Sequence, residues 1–247
     1  MRKNEILRLR IEDMNNLGYG IGHTDGLTVF VRGGVVGEEV TAKIIKVTKS
    51  YLVALCETVL SPSLNRCVPD CSSYPACGGC VFRHITYAHE LELKRRYVEN
   101  AFRKAGVAAE VEPVRTTGKT EGYRNKAQYP ILPDPKTGKP AIGFFAGASH
   151  RLVPSDRCRL QPAVFGRISQ DVMRFLDEKR ISAYDETTGR GLVRHLYLRR
   201  GDRSGEVLVC LVLNGDRLPQ ENAFAEMLMR SHPEIVGVLL NENTART

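Results

Sequence analysis

Residues 9–44 read LRIEDMNNLGYGIGHTDGLTVFVRGGVVGEEVTAKI, and this run decides the fold of the first part of the chain. Leading into it, Ile6–Ile11 alternates apolar and charged residues, the period-2 pattern of a half-buried strand. Asn15-Asn16-Leu17-Gly18 supplies a turn, Gly20–Gly22 follows, and a turn at Asp25-Gly26 precedes the apolar run Leu27–Val31. Gly33-Gly34 and Gly37 punctuate before two longer strand candidates, Val40–Val47 and Tyr51–Leu60. About five short strands separated by glycine-rich turns predict a small OB-like barrel, an architecture that offers one face to single-stranded nucleic acid. The spacing Gly18-Tyr19-Gly20-Ile21-Gly22 resembles a dinucleotide-binding loop, but no long helix follows it, so these glycines read as barrel turns.

Outward from the barrel, Ser61-Pro62-Ser63 leads into RCVPDCSSYPACGGCVFRH at residues 66–84. The spacing predicts helices over Ala88–Lys104, Phe165–Glu178 and Glu221–Arg230. Strands are expected at Val111–Arg115, Tyr123–Leu132, Ile142–Phe145, Gly191–Arg199, Glu206–Leu213 and Ile235–Leu240. Strands that mostly follow turns, with helices on one side, suggest an α+β domain.

The 247 residues carry a net charge of +8, and the excess is local. Residues 1–60 balance at +1, residues 61–200 at +10 and residues 201–247 at −3. A basic middle favours a polyanionic partner, nucleic acid above all. No apolar run approaches the roughly 18–20 residues that span a bilayer, and the first residues lack a signal-peptide core, so a cytoplasmic protein is expected.

Of the seven cysteines, Cys67, Cys71, Cys77 and Cys80 cluster within one loop, Cys158 lies far along the chain, and Cys56 and Cys210 fall in apolar strand patterns that read as core. Clustered thiols in a cytosolic chain point to a metal, and thiolates select zinc or an iron–sulfur cluster. Only one short pair, Cys77-x2-Cys80, is present, which fits a regular zinc ribbon imperfectly. Spacing alone leaves both metals open.

A resemblance then emerges from motifs in order. The run at 9–44 looks like a TRAM domain. After it come Cys71-x5-Cys77-Gly78-Gly79-Cys80, Tyr123-Arg124-Asn125-Lys126-Ala127-Gln128, Arg157-Cys158-Arg159-Leu160-Gln161-Pro162, Gly191-Leu192-Val193-Arg194-His195 and Thr244-Ala245-Arg246-Thr247. The series is similar to the RumA-type RNA (uracil-5-)-methyltransferases, which make 5-methyluridine in 23S ribosomal RNA. The resemblance implies a 4Fe–4S cluster, with Cys71, Cys77, Cys80 and Cys158 matching the four ligands and Cys67 outside the pattern. It also implies a C-terminal Rossmann-like domain holding S-adenosylmethionine, a nucleophilic cysteine and a carboxylate base, none of which this sequence contains. Such a domain needs on the order of 150–200 further residues. The 247 residues are therefore expected to be the N-terminal portion, inactive alone, with S-adenosylmethionine used only by the full-length enzyme.

The fold class expected is thus β plus α/β: a five-stranded TRAM barrel over 1–60, a cysteine-rich cluster loop and helix over 61–106, and an α+β central domain with a mainly antiparallel sheet over 107–247. Arg124 and Lys126, alternating with Asn125 and joined by Gln128, would form one basic strand face. Phe144 or Phe145 would stack a base, and Arg194, His195, Arg199 and Arg200 would add a second basic strand. RNA, ribosomal RNA first, is the expected partner of a monomer. The alternative is a stand-alone RNA-binding or zinc-stabilised, ribosome-associated module without catalysis.

Overall fold

The computed structural model describes residues 1–155 and 157–245, so Arg246 and Thr247 of the last motif lie outside the described residues. The chain divides into two units: Met1–Tyr74 with Cys80–Thr116, and Pro75–Gly79 with the residues from Thr117 onward.

The first unit is a curled sheet of six strands rather than the expected five. β1 (Ile6–Arg10), β2 (Asp13–Met14), β3 (Tyr19–Thr24), β4 (Leu27–Arg32), β5 (Glu39–Val47) and β6 (Tyr51–Ser61) lie in the order β1-β5-β6-β4-β3-β2. All neighbours are antiparallel except β4 and β6. The alternation seen in the sequence buries Leu9, Val29, Val31, Val40, Ala42, Ile44, Leu52 and Ala54 in one cluster. Gly20 and Gly22 are not turn residues, as the sequence suggested, but sit inside β3. A Cβ on Gly22 would lie 2.5 Å from the Arg10 carbonyl oxygen, so close strand approach explains that glycine.

The loop between β4 and β5 carries a feature hidden from sequence reading. Glu38 is wholly buried, and its carboxylate is gripped in bidentate fashion by Arg66, Nε at 2.5 Å and a terminal nitrogen at 2.7 Å. The Val35 and Ser63 amides also donate to it, at 2.9 and 3.3 Å. Burial alone would raise this carboxyl's pKa, but the Arg66 and amide hydrogen bonds outweigh it and hold the group below its ordinary range. Arg66 leads directly into the cysteine loop. Beyond that loop α1 (Tyr87–Lys104) starts at Thr86, whose hydroxyl caps the His89 amide, and ends before Gly106 at φ +70°. Leu93 of α1 packs with Met14, Val35 and Ile85.

The second unit is a six-stranded mixed sheet with two helices. β7 (Lys126–Pro133), β8 (Pro140–Phe145), β9 (Leu152–Pro154), β10 (Val193–Arg200), β11 (Val207–Leu213) and β12 (Ile235–Glu242) take the order β12-β11-β10-β7-β8-β9. Only β11 and β12 run parallel, joined by α3 (Glu221–Ser231). α2 (Ala163–Glu178) and α3 place Phe165, Ile168, Val172, Leu176, Phe224 and Leu228 in one core with Ala127, Tyr129, Leu196, Leu198, Val209 and Leu211 of the strands. Residues 111–115, expected as a strand, form none, and Pro113 has no amide hydrogen to donate to a ladder. Cys56 and Cys210 are half-buried rather than fully in the core. Among the described residues there is no doubly wound parallel sheet, and no helix is long and apolar enough to cross a membrane.

Candidate nucleic-acid interface and cysteine loop

Strand periodicity sorts β7 and β10 into two faces. Ala127, Tyr129, Leu196 and Leu198 point to the helices and are buried, so Lys126, Gln128, His195, Tyr197 and Arg199 belong to the opposite, outer face. The antiparallel register sets them in rows: Lys126 opposite Arg199, Gln128 opposite Tyr197, and Pro130 opposite His195. Lys126 and Arg199 are thus like charges directly across a ladder, an arrangement that costs a few tenths of a kcal/mol up to about 1 kcal/mol unless an anion lies over them. The other cross-strand neighbour of Arg199 is Leu208, which offers no compensating carboxylate. Lys126 Nζ lies 5.4 Å from the Tyr197 ring centroid.

The remaining sequence candidates are placed differently. Arg124 and Asn125 precede the strand, exposed, where the Asn125 carbonyl accepts the Arg200 amide and the Arg124 amide donates to the Leu160 carbonyl. Arg194 is buried: it donates to the Asn243 and Ala245 carbonyls at 2.6 and 2.8 Å and stacks over Tyr184. Arg194 shares its parity with the inward-facing Leu196 and Leu198, so strand alternation itself keeps it off the outer face. His195 does join that face, but burial, helped by Arg194 and opposed by Glu186, lowers its pKa, and it adds no charge near pH 7. Phe144 packs on the core with its ring 5.0 Å from Tyr129, while Phe145 stacks on His150 at 4.9 Å. Tyr197 was missed because the charged residues of this strand were read first and the tyrosine flanked by Leu196 and Leu198 reads as core. Its two-residue spacing from both His195 and Arg199 was the available signal.

In the cysteine loop, Cys71 and Cys80 belong to the first unit, while Cys77 and Cys158 belong to the second. Cys77 bridges Ala146, and the Gly78 amide donates to the Phe145 carbonyl at 3.0 Å. A Cβ on Gly78 would come within 2.9 Å of the Gly147 backbone, so glycine is required for this approach. Cys158 lines a cavity of about 660 Å³ together with Arg157, Arg159 and Gln161. The four thiols are half-buried, and the Gly79 amide donates to Cys77 Sγ at 3.4 Å, the kind of bond that tunes iron–sulfur centres. By donor chemistry this set fits a thiolate-bound metal group. Among the described residues, however, no three His, Cys, Asp or Glu side chains are gathered to hold a metal ion.

The chain thus carries a curled amino-terminal sheet followed by an α+β sheet with a basic outer row. Residues 2–54 match the TRAM domain. An uncharacterized RNA methyltransferase of Clostridium tetani is 34% identical over all of this chain, and one of Nostoc sp. is 34% identical over 99% of it. The chain spans 54% of each of these relatives, about half their length. The crystal structure of the Pyrococcus abyssi tRNA (uracil-54, C5)-methyltransferase with S-adenosyl-L-homocysteine superimposes with a TM-score of 0.65 and 25% identity, over 88% of this chain and 48% of that one. In sequence and structure alike, the chain matches the TRAM-domain, RumA-type RNA methyltransferase family over the N-terminal portion of its longer members.

Proposed function

We propose that this chain is the RNA-holding portion of an S-adenosylmethionine-dependent methyltransferase acting on uracil C5, with 23S ribosomal RNA as the substrate. The observation that carries this reading is the Lys126–Arg199 row, a charge arrangement that a phosphate backbone relieves, in a chain that also bears a TRAM domain. An enzyme that modifies a base must hold it out of its stack. In this reading the chain's own residues supply that grip: Lys126 and Arg199 take phosphates, and Gln128 offers an amide to a base or sugar edge. The methyl donor is assigned to the part of the relatives that this chain does not span.

Fluorescence anisotropy with single-stranded RNA tests the reading. Log affinity should fall linearly with log salt, by about 0.7 per neutralised phosphate. Reversing both Lys126 and Arg199 to Glu should weaken binding to every RNA tried and flatten that slope by about 1.4. Unchanged affinity in the folded double variant would place the RNA elsewhere. Parallel titrations with a 23S fragment and a transfer RNA decide between the substrates, since the archaeal relative is a transfer-RNA enzyme.

Cys71, Cys77, Cys80 and Cys158 are further proposed to hold a 4Fe–4S cluster. Supporting this are the soft donor set and the amide aimed at Cys77. Such a group, when bound, supplies covalent cross-links between its thiolates and calls for no redox step here. Anaerobically purified protein should be brown with about four irons per chain. Alanine at any of the four positions should bleach it, whereas Cys67→Ala should leave the colour. A colourless protein with stoichiometric zinc would refute this assignment.

A further inference from the structure

We infer that Tyr197 is a stacking platform for one unpaired RNA base, an inference that rests on the outer face of the second sheet being the RNA-binding face. Single-stranded RNA is read by splaying its bases onto aromatic side chains that stand out from an antiparallel sheet, with cations nearby for the phosphates. Tyr197 meets each part of that requirement. It stands on β10, between Gln128 on β7 and Cys210 on β11, two side chains small or flexible enough to leave a ring accessible. It is half-exposed, and its row lies next to the Lys126–Arg199 row. The Lys126 ammonium, 5.4 Å from the ring centroid, is close enough to bind the phosphate of a nucleotide whose base lies on that ring.

Several other rings of the same unit are already engaged. Tyr129 is buried and contacts Phe144, Phe145 is stacked on His150, and Tyr184 is covered by Arg194. Of the aromatic side chains on β7 and β10, Tyr197 is the one on the outer face, and the Lys126 ammonium over its ring is a flexible side-chain end that a stacking base would displace toward its own phosphate. Stacking is indifferent to base identity, so the class of ligand is an unpaired pyrimidine or purine within a single strand, with specificity supplied by other contacts.

The test uses the 247-residue chain, labelled single-stranded oligouridylate as the probe, and three variants whose folding is checked by thermal denaturation. Tyr197→Leu keeps an apolar side chain on the strand but removes the ring; it should weaken binding by about 5- to 140-fold while leaving the salt slope unchanged, because no phosphate contact is lost. Tyr197→Phe should bind within about two-fold of the parent, since the ring and not the hydroxyl stacks. The double reversal of Lys126 and Arg199 to Glu serves as the reference. Wild-type affinity in Tyr197→Leu, alongside weakened binding in the double reversal, would overturn the stacking role while leaving the RNA face in place. Insensitivity of binding to the double reversal, or no binding by the parent chain, would overturn the RNA face itself and the stacking role with it.

Discussion

Glu38→Ala should destabilise the first unit by about 3–5 kcal/mol, the usual cost of stripping one partner from a buried ion pair. The wild-type carboxylate is inaccessible to water and satisfies Arg66, Val35 and Ser63 together, so its loss leaves two amides unmatched and a guanidinium charge with only the Gly33 carbonyl to donate to. Urea denaturation followed by circular dichroism measures the loss, and a change under about 1 kcal/mol would show that water replaces the carboxylate at little cost. The pH dependence separates this pair from its neighbour His84. Because the folded Glu38 pKa is depressed, its contribution is present above the ordinary value of 4.5 and disappears as pH falls through the lower folded value. His84 hydrogen-bonds the Tyr74 hydroxyl at 2.6 Å, and its pKa is pushed down to about 4 by burial first and by Arg66 second, against the pull of Glu38. Its folded state resists protonation, so stability already declines from about pH 6.5 to 4, by on the order of 3 kcal/mol. Glu38→Gln should remove the Glu38 share of the loss below pH 4.5 and spare the His84 loss, which runs from about pH 6.5 to 4.

Gly191→Ala is expected to be nearly as damaging, for a steric reason. Gly191 holds φ +100°, and an added Cβ would sit 1.9 Å from the Ala183 carbonyl oxygen. No rotamer relieves a clash between backbone atoms. Ala183 and Val193 form the bridge that seats the start of β10, and the Asn214 amide group donates to the Gly191 carbonyl at 3.0 Å. Moving that turn shifts the strand carrying Tyr197 and Arg199. We expect a loss of about 3 kcal/mol or more, seen as a thermal midpoint lowered by roughly 6–12 °C. Gly26 provides the control: its φ is also positive, at +75°, but nothing lies within 4 Å of its missing Cβ. Gly26→Ala should therefore cost only about 1–2 kcal/mol. Equal losses at the two positions would mean that conformational strain, not collision, governs both.

Those two sites show why some of the molecule is legible in its sequence and some is not. Strands β1 and β4 to β6 and the three helices follow from periodicity and turn chemistry, which act over a few residues and so leave a local trace. The two-residue β2 is too short to have a period. Lys126, Gln128, His195 and Arg199 could be grouped because alternation carries them to one face. The same alternation separates Arg194 from them, but an arginine on the inner side reads as implausible until the Asn243 and Ala245 carbonyls, distant in the chain, are seen to accept from it. Glu38 was equally hidden: an acidic residue in a glycine-rich loop looks solvated until Arg66, 28 positions away, is seen to close over it. The thiols were visible as a motif, but a motif carries no distances.

The placement of Pro75–Gly79 with the second unit has a practical consequence. The backbone passes between the two units three times, after Tyr74, after Gly79 and after Thr116. A protease nicking the largely exposed stretch 107–120 would sever only the last passage. The amino-terminal piece would still carry Cys77 and Gly78, bridged to Ala146 and hydrogen-bonded to Phe145 in the other piece. A carboxy-terminal half expressed from residue 117 would lack that segment, and both of these contacts, from the outset.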